Sequence, residues 1–157
     1  MTPSPPSSQP AHADAPACAA LPAIVSFYEG LQPQDLPRLA QLYAHDARFK
    51  DPFNEVQGVA SIEAVFAHMF RRLDAPRFAV RDRMAQGDVI LLTWDFDCRF
   101  KGEATPRTIR GASRLLIDAQ GQIADHRDYW DAAEAVYEQL PLLGGFMRWL
   151  KRQARKG

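Results

Sequence analysis

Three residues that could move a proton lie at or near the ends of predicted strands: Asp51, His126 and Asp128. Asp51 ends a predicted strand over 47–51, inside the aromatic stretch FKDPF. A carboxylate with aromatic neighbours loses hydration, which disfavours its ionised form and moves its pKa toward the range useful for a general base. The alternative interpretation is that Asp51 closes a turn before the following proline.

The stretch HRDYWD places His126, Asp128 and Trp130 on one face of the last predicted strand, because side chains alternate along a strand. If that face is the buried one, the imidazole and the carboxylate need hydrogen-bond partners or line a cavity. His126 is then either a proton-transfer group or a structural histidine. Asp51 is predicted to face the same cavity.

Other chemistries have less support in the sequence. Ser113 lies in the middle of a predicted strand rather than on a nucleophile elbow, and Cys98 is typical of a core position. Asp51, His126 and Asp128 have the right residue types for a metal site but no ligand motif. Zinc spacings, a P-loop and GxGxxG are absent from the sequence, so we predict no metal and no cofactor.

The composition is that of an ordinary globular protein. The 157 residues are 46% hydrophobic and 24% charged, and nineteen basic residues balance nineteen acidic ones, which argues against a nucleic-acid partner. The first 22 residues carry no lysine or arginine, so the basic start of a signal peptide is missing. Two cysteines in unlike surroundings argue against a disulfide framework. The expected location is the cytoplasm.

The chain divides into three predicted parts: a disordered tail over 1–20, a domain over 21–140 and a basic helix over 141–157. Helices are predicted over 22–31, from Asp35 as N-cap to about residue 45, and from Ser61 to Leu73. Four alternating strands follow, joined by tight turns. Helices and strands segregated in this way favour an α+β domain with an antiparallel sheet.

The predicted strands have two distinct faces. Trp94, Phe96 and Cys98 alternate with charged residues, and Phe78, Val80 and Met84 are expected on one face of the preceding strand. On the charged face, Asp95, Asp97 and Arg99 could pair with Arg110 and Arg114 of the next strand. We interpret these as surface ion pairs, with an anion site as the alternative.

Two stretches, FYEGLQPQDLPRLAQLYAHDARFKDPF at 27–53 and RLLIDAQGQIADHRDYWDAAE at 114–134, resemble the nuclear transport factor 2-like superfamily. They are most similar to its SnoaL-like branch, which is related to ketosteroid isomerases and polyketide cyclases. The resemblance covers residues 21–140. It implies a cone-shaped, curved antiparallel sheet wrapped around three helices, with a pocket at the open end and a homodimeric assembly.

The resemblance also implies roles for single residues. Asp51 matches the carboxylate that moves a proton in ketosteroid isomerases, and Trp130 matches a pocket aromatic. The oxyanion-hole tyrosine of the family falls on Phe27, one position before Tyr28, and its protonated acid falls on Ser113. Polyketide cyclases use an acid with a nearby histidine, which are the residue types of His126 and Asp128.

Our leading expectation is a cofactor-independent isomerase, cyclase or hydrolase that acts on a small hydrophobic compound. Asp51 would be the base, His126 a proton shuttle, Asp128 its orienting group and Ser113 a hydrogen-bond donor. The wall of the pocket would be formed by Phe27, Tyr28, Phe53, Trp94 and Trp130. The alternatives are a non-catalytic module that binds or senses a hydrophobic metabolite, and an interaction domain. In the last case the basic C-terminal helix could touch anionic lipid or a partner.

Overall fold

A computed structural model of the protein describes residues 15–132. Four helical segments precede or interrupt the strands: α1 Pro16–Glu29, a 3-10 helix Pro33–Arg38, α2 Leu39–Leu42 and α3 Val59–Arg72. The strands are β1 Tyr43–Lys50, β2 Glu55–Gln57, β3 Leu73–Gln86, β4 Val89–Phe100, β5 Arg107–Ile117 and β6 Ile123–Trp130. The α+β class is therefore confirmed. The predicted C-terminal helix and the residues before position 15 lie outside the described residues.

The six strands form one sheet in the order β2-β1-β6-β5-β4-β3. The long strands β3 to β6 pair antiparallel with their sequence neighbours, whereas β1 pairs parallel with β6. The sheet is therefore mixed, and the prediction of a purely antiparallel sheet was wrong on this pair. Two parallel strands need a long connection, and the whole of β2 to β5 supplies it here. Alternating burial along a strand carries no information on the direction of its partner.

Three predicted boundaries of helices and strands differ from the structure. α1 begins at Pro16, so residues 16–20 belong to a helix and not to the predicted tail; proline suits the first helical position because its missing N–H needs no partner there. Asp35 is not an N-cap: it is the third residue of the 3-10 helix, where it accepts a hydrogen bond from the Gln32 N–H. Pro37 lies inside the stretch that was predicted to continue as a helix from Asp35. β1 begins at Tyr43, four residues earlier than predicted.

The inward face of the sheet is predicted well along β4, where Trp94, Phe96 and Cys98 are buried. On β3 the register shifts between Val80 and Asp82, so that one extra residue bulges and reverses the later face. Met84 consequently points outward and is 64% exposed, contrary to the prediction that it shares a face with Phe78 and Val80.

The core lies between the inward face of the sheet and the helices, and its most deeply buried side chains come from every layer: Ile24, Leu39, Tyr43, Ile62, Ile90, Leu115 and Ile123. Within residues 15–132, the buried polar side chains other than tyrosine are Ser113 and His126. No helix in this part of the chain combines the length and apolar character needed to cross a membrane.

Candidate functional site

The two buried polar residues belong to a continuous chain of hydrogen bonds that we call the polar network. It joins α1, β1, β4, β5 and β6 through the side chains of Tyr28, Tyr43, His126, Asp128, Ser113 and Trp94. Five of these six side chains are buried, and that of Asp128 is 15% exposed. The network therefore reaches solvent-accessible space at Asp128.

His126 is the centre of the network. Its Nδ1 lies 2.5 Å from the Tyr43 hydroxyl and 3.4 Å from the Tyr28 hydroxyl, and the two hydroxyls bond each other. Its Nε2 lies 2.8 Å from Asp128 Oδ1. The Phe49 ring packs edge-on against the imidazole, with a centroid distance of 4.9 Å, so aromatic rings enclose it.

On the other side of Asp128, the Ser113 hydroxyl donates to Oδ1 at 2.5 Å, and the Trp94 indole N–H donates to Ser113 Oγ at 2.8 Å. The indole nitrogen can only donate, so the Ser113 oxygen accepts from it and its own hydrogen is free for Asp128. Asp128 Oδ1 thus has two partners. Among the described residues, Oδ2 has no hydrogen-bond partner.

The same reasoning assigns the imidazole tautomer when His126 is neutral. Nε2 faces an oxygen of the ionised Asp128 and carries the hydrogen, which leaves Nδ1 as the acceptor for Tyr43. Tyr43 in turn accepts from Tyr28. Every hydrogen bond in the polar network then points toward Asp128 Oδ1.

Burial keeps both tyrosines of the network neutral. Desolvation raises the pKa of Tyr28 far above its ordinary value, against the lowering effect of its hydrogen bond with Tyr43. Desolvation likewise raises the pKa of Tyr43, and electrostatic repulsion from nearby Asp128 acts in the same direction. The two phenols are therefore permanent donors near neutral pH.

A cavity of about 820 Å³ opens beside the network, between α3 and the inward face of β4, β5 and β6. Its wall is mostly aromatic and aliphatic, and Asp128 and Asp51 are the carboxylates among the described lining residues. A second space of only about 20 Å³ is lined by His126, Ser113 and Tyr28, and Asp128 borders both. A cavity of the larger size can enclose a small organic molecule.

Asp51 lies at this cavity, but its oxygens serve the local turn. Oδ1 accepts from the backbone N–H groups of Phe53 at 2.7 Å and Asn54 at 2.6 Å, and the Asn54 side-chain amide donates to both oxygens. This is the turn chemistry weighed for Asp51 in the sequence. No hydrogen bond or ion pair joins Asp51 to His126 in the structure; of the predicted trio, only His126 and Asp128 are hydrogen-bonded to each other.

The predicted wall residues separate into three groups. Trp94 and Ser113 belong to the polar network with Tyr28, while Phe53 and Trp130 pack edge-on at 5.2 Å and line the large cavity. Phe27 lines neither space; its ring lies under the Arg38 guanidinium and against Tyr28. Tyr28, one step along α1, takes the inward position that the resemblance placed on Phe27.

Sequence reasoning missed Tyr43, which lies inside the helix predicted from Asp35 to about residue 45 but begins β1 in the structure. A phenol among apolar residues directly before a predicted strand was the available signal. It also missed that Cys98 lines the cavity, where burial raises the pKa of the thiol despite the opposing effect of Arg107. Between residues 15 and 132 no cluster of three or more His, Cys, Asp or Glu side chains is arranged to hold a metal ion.

The sequence of residues 24–126 matches the model of the SnoaL-like domain, which is most of the described chain. The protein belongs to the SnoaL-like family of the nuclear transport factor 2-like superfamily, as its sequence motifs indicated. No curated protein matches the chain.

Solved structures with the same fold include three with different descriptions. A hypothetical protein with a ketosteroid isomerase-like fold from Catenulispora acidiphila, in complex with trimethylamine, is 20% identical with a TM-score of 0.65, covering 76% of this chain and 90% of its own. An LEH-like epoxide hydrolase from Mycobacterium tuberculosis is 16% identical with a TM-score of 0.61, covering 76% and 86%. A candidate SnoaL-like polyketide cyclase from Jannaschia is 12% identical with a TM-score of 0.68, covering 82% and 94%. At these identities the likeness establishes the fold and leaves the activity open.

Proposed function

We propose that the protein is a cofactor-independent enzyme that performs general acid–base chemistry on a small hydrophobic compound bound in the large cavity. The observation that carries the proposal is the state of Asp128: Oδ1 is fixed by Ser113 and His126, while Oδ2 is without a partner among the described residues, on a side chain that lines the cavity. A fixed carboxylate with one available oxygen is a suitable group for exchanging a proton with a bound molecule.

In this proposal Asp128 takes the role of base that the sequence resemblance gave to Asp51. Oδ2 removes a proton from a carbon acid or from an attacking water, and the electrons of the broken bond stay on the substrate or on the water oxygen. The same carboxyl group then returns the proton to the product or to solvent. The carboxylate is regenerated, so the cycle balances without an added oxidant or reductant.

The other network residues orient Asp128. His126 Nε2–H and the Ser113 hydroxyl hold Oδ1, and each is fixed by a further donor, Tyr43 or Trp94. Locking a reacting group in one rotamer reduces the entropy lost on reaching the transition state. Asp51 keeps a binding role at the cavity through the turn that it closes at Phe53 and Asn54.

A substrate panel tests this proposal. The full chain is incubated with small enolisable ketones in deuterium oxide and with small epoxides in oxygen-18 water, and label incorporation is followed by mass spectrometry. We expect turnover of at least one compound, a fall of about 10² to 10⁴-fold in Asp128→Asn, and a change within about tenfold in the matched variant Asp51→Asn.

Two results would contradict this proposal, and each points to a different alternative. If Asp51→Asn loses turnover and Asp128→Asn keeps it, the base is Asp51 and our assignment is wrong. If panel compounds bind, as measured by calorimetry, but none is turned over, the protein is the non-catalytic binding module that the sequence left as an alternative. Circular dichroism of both variants verifies that they are folded.

A further inference from the structure

We propose that the large cavity accepts an elongated amphipathic anion, whose acidic head group binds Arg71 and Arg72 while its apolar body extends toward Asp128. This inference rests on the proposed function in one respect: it names the class of substrate that the same cavity would bind. It is argued from the shape of the cavity floor and from the charges at its far end.

The floor of the cavity follows β4. The inward residues Trp94, Phe96, Cys98 and Phe100 all line it. The first and the last are six positions apart, which corresponds to about 20 Å of extended strand. The cavity is therefore a trough much longer than a single ring, with apolar side chains along its length.

One end of the trough is acidic. Trp130 pairs with Gly111, which pairs with Trp94, so these residues form one level across the sheet. Asp128 lies one inward position further along β6 and Asp51 lines the same cavity. An anionic head group would be repelled at this end.

The opposite end is basic. Phe100 pairs with Leu73, the residue directly after Arg72, and the backbone N–H of Lys101 donates to the Arg72 carbonyl at 3.0 Å. Arg71 and Arg72 both line the cavity here, in the last turn of α3. The Lys101 ammonium lies close by and donates to the Phe70 carbonyl.

The carboxylates near this end already have cationic partners. Asp74 pairs with Arg99 and Glu103 pairs with Arg107. In the part of the chain that the structure describes, neither Arg71 nor Arg72 forms an ion pair. Two unpaired guanidinium groups at the end of an apolar trough are complementary to a carboxylate, sulfonate or phosphate head group.

Two basic residues in the last turn of a helix also have a simpler role, because cations there offset the helix dipole. That role affects the stability of α3 but does not distinguish an anionic ligand from its neutral ester. The charge preference of ligand binding therefore separates the two interpretations.

The probe is dansylaminoundecanoic acid, an elongated fluorescent carboxylate, and its matched control is the methyl ester of the same compound. Dissociation constants are measured with the full chain at pH 7.5 by dansyl fluorescence. We expect the acid to bind about tenfold more tightly than the ester, as two solvent-accessible ion pairs would give. Added salt should weaken binding of the acid alone.

In Arg71→Gln/Arg72→Gln the preference for the acid should disappear while ester binding is kept. The control double variant Arg110→Gln/Arg127→Gln removes two arginines from the outer face of the sheet and should keep the preference. Equal binding of acid and ester by the native chain, binding of neither, or a preference that survives Arg71→Gln/Arg72→Gln would each overturn the inference.

The result does not depend on turnover. Asp128→Asn should bind the acid at least as tightly as the native chain, because a carboxylate at the far end is removed. A protein that shows the arginine-dependent preference but never turns over a substrate would refute the proposed function and keep this inference. Turnover of a substrate without the arginine-dependent preference would support the proposed function and refute the head-group site.

Discussion

At the scale of single residues, the polar network holds its phenols in one protonation state. Tyr28 and Tyr43 are buried with Asp128 nearby, and desolvation is the main reason that both pKa values are raised. In the unfolded chain the same phenols meet water and titrate near the ordinary value of about 10. The difference links the network to the stability of the whole fold.

The first prediction concerns alkaline pH. A folded-state pKa above the unfolded one gives stabilisation that is complete below pH 10 and is lost as the pH rises above it. For each tyrosine the free energy of unfolding should fall by about 1.4 kcal/mol per pH unit above pH 10. Urea denaturation of the native chain and of Tyr28→Phe/Tyr43→Phe, repeated across this range, measures the slope.

The double variant should show a shallower decline above pH 10, because it removes both of these phenols. Between pH 7 and pH 9 the two proteins should differ by a constant free energy, since neither tyrosine titrates in either state there. Identical slopes above pH 10 would mean that the two phenols are not protected from ionisation in the fold.

The sequence identifies several network residues and one of their contacts, that of Asp128 with His126, but not the other partners. Side chains alternate between the two faces of a strand every second residue, and this period alone is enough to place Trp94, Ser113, His126 and Asp128 on inward faces. Tyr43 joins them because β1 lies beside β6, a long-range contact that local pattern does not contain. Phe27 and Tyr28 are about 100° apart around α1, and two adjacent aromatic residues do not show which of them faces inward.

At the scale of elements, the packing of β4 beside β5 depends on the absence of a side chain at Gly111. Gly111 pairs directly with Trp94, and a Cβ atom at Gly111 would overlap the six-membered ring of the indole. The absence of a side chain lets the indole ring lie against the backbone of β5 and reach Ser113. A strand glycine is often explained by such a close approach.

The second prediction follows from this packing. Gly111→Ala should destabilise the fold by about 1 to 3 kcal/mol, the usual cost of overpacking, because the indole has to move. Urea denaturation measures the loss. In a Trp94→Phe background the same substitution should cost less, since the smaller ring leaves room for the new methyl group. Equal costs in both backgrounds would show that the indole is not the obstacle.

An element could be predicted well when the residues that determine its structure are neighbours in the sequence. β4 and β5 alternate strictly, so their faces could be predicted from neighbouring residues alone. β6 alternates only after a register shift at Leu116 and Ile117 that leaves Ala124 as an extra residue. The bulge at Arg81 could not be predicted, because one extra residue changes no local propensity but reverses the face of everything after it. The start of β1 was misplaced for a related reason: Tyr43 and Ala44 fit both a helix end and a strand.

At the scale of the whole molecule, the sheet separates two surfaces. Its inward face carries the core, the polar network and the cavity. Its outward face carries ion pairs, and the predicted pairing of Asp95 with Arg110 is present at 3.7 Å. Arg114 pairs instead with Asp125 and Arg99 with Asp74. The same face also exposes large apolar side chains, which monomeric proteins rarely group together.

Two of these exposed side chains are direct neighbours, and the third lies further across the same face. Met84 and Leu91 form a cross-strand pair, and Tyr129 belongs to the next outward level, paired with Ala112. Met84 is 64%, Leu91 43% and Tyr129 49% exposed, and the Arg127 guanidinium lies over the Tyr129 ring at 5.1 Å. An aromatic residue and an arginine beside aliphatic ones is a composition enriched at protein interfaces.

The third prediction is therefore a homodimer formed through this face. Size-exclusion chromatography with light scattering should give twice the chain mass for the native protein at micromolar concentration. Leu91→Glu should shift the protein toward the monomer, because burying a carboxylate in the interface costs hydration that a partial ion pair with the adjacent Arg114 does not fully offset. The control Phe53→Glu adds the same charge at another exposed apolar residue, at the cavity rather than on this face, and should leave the mass unchanged. A native monomer, or a dimer indifferent to Leu91→Glu, would show that the outward face is not the contact surface.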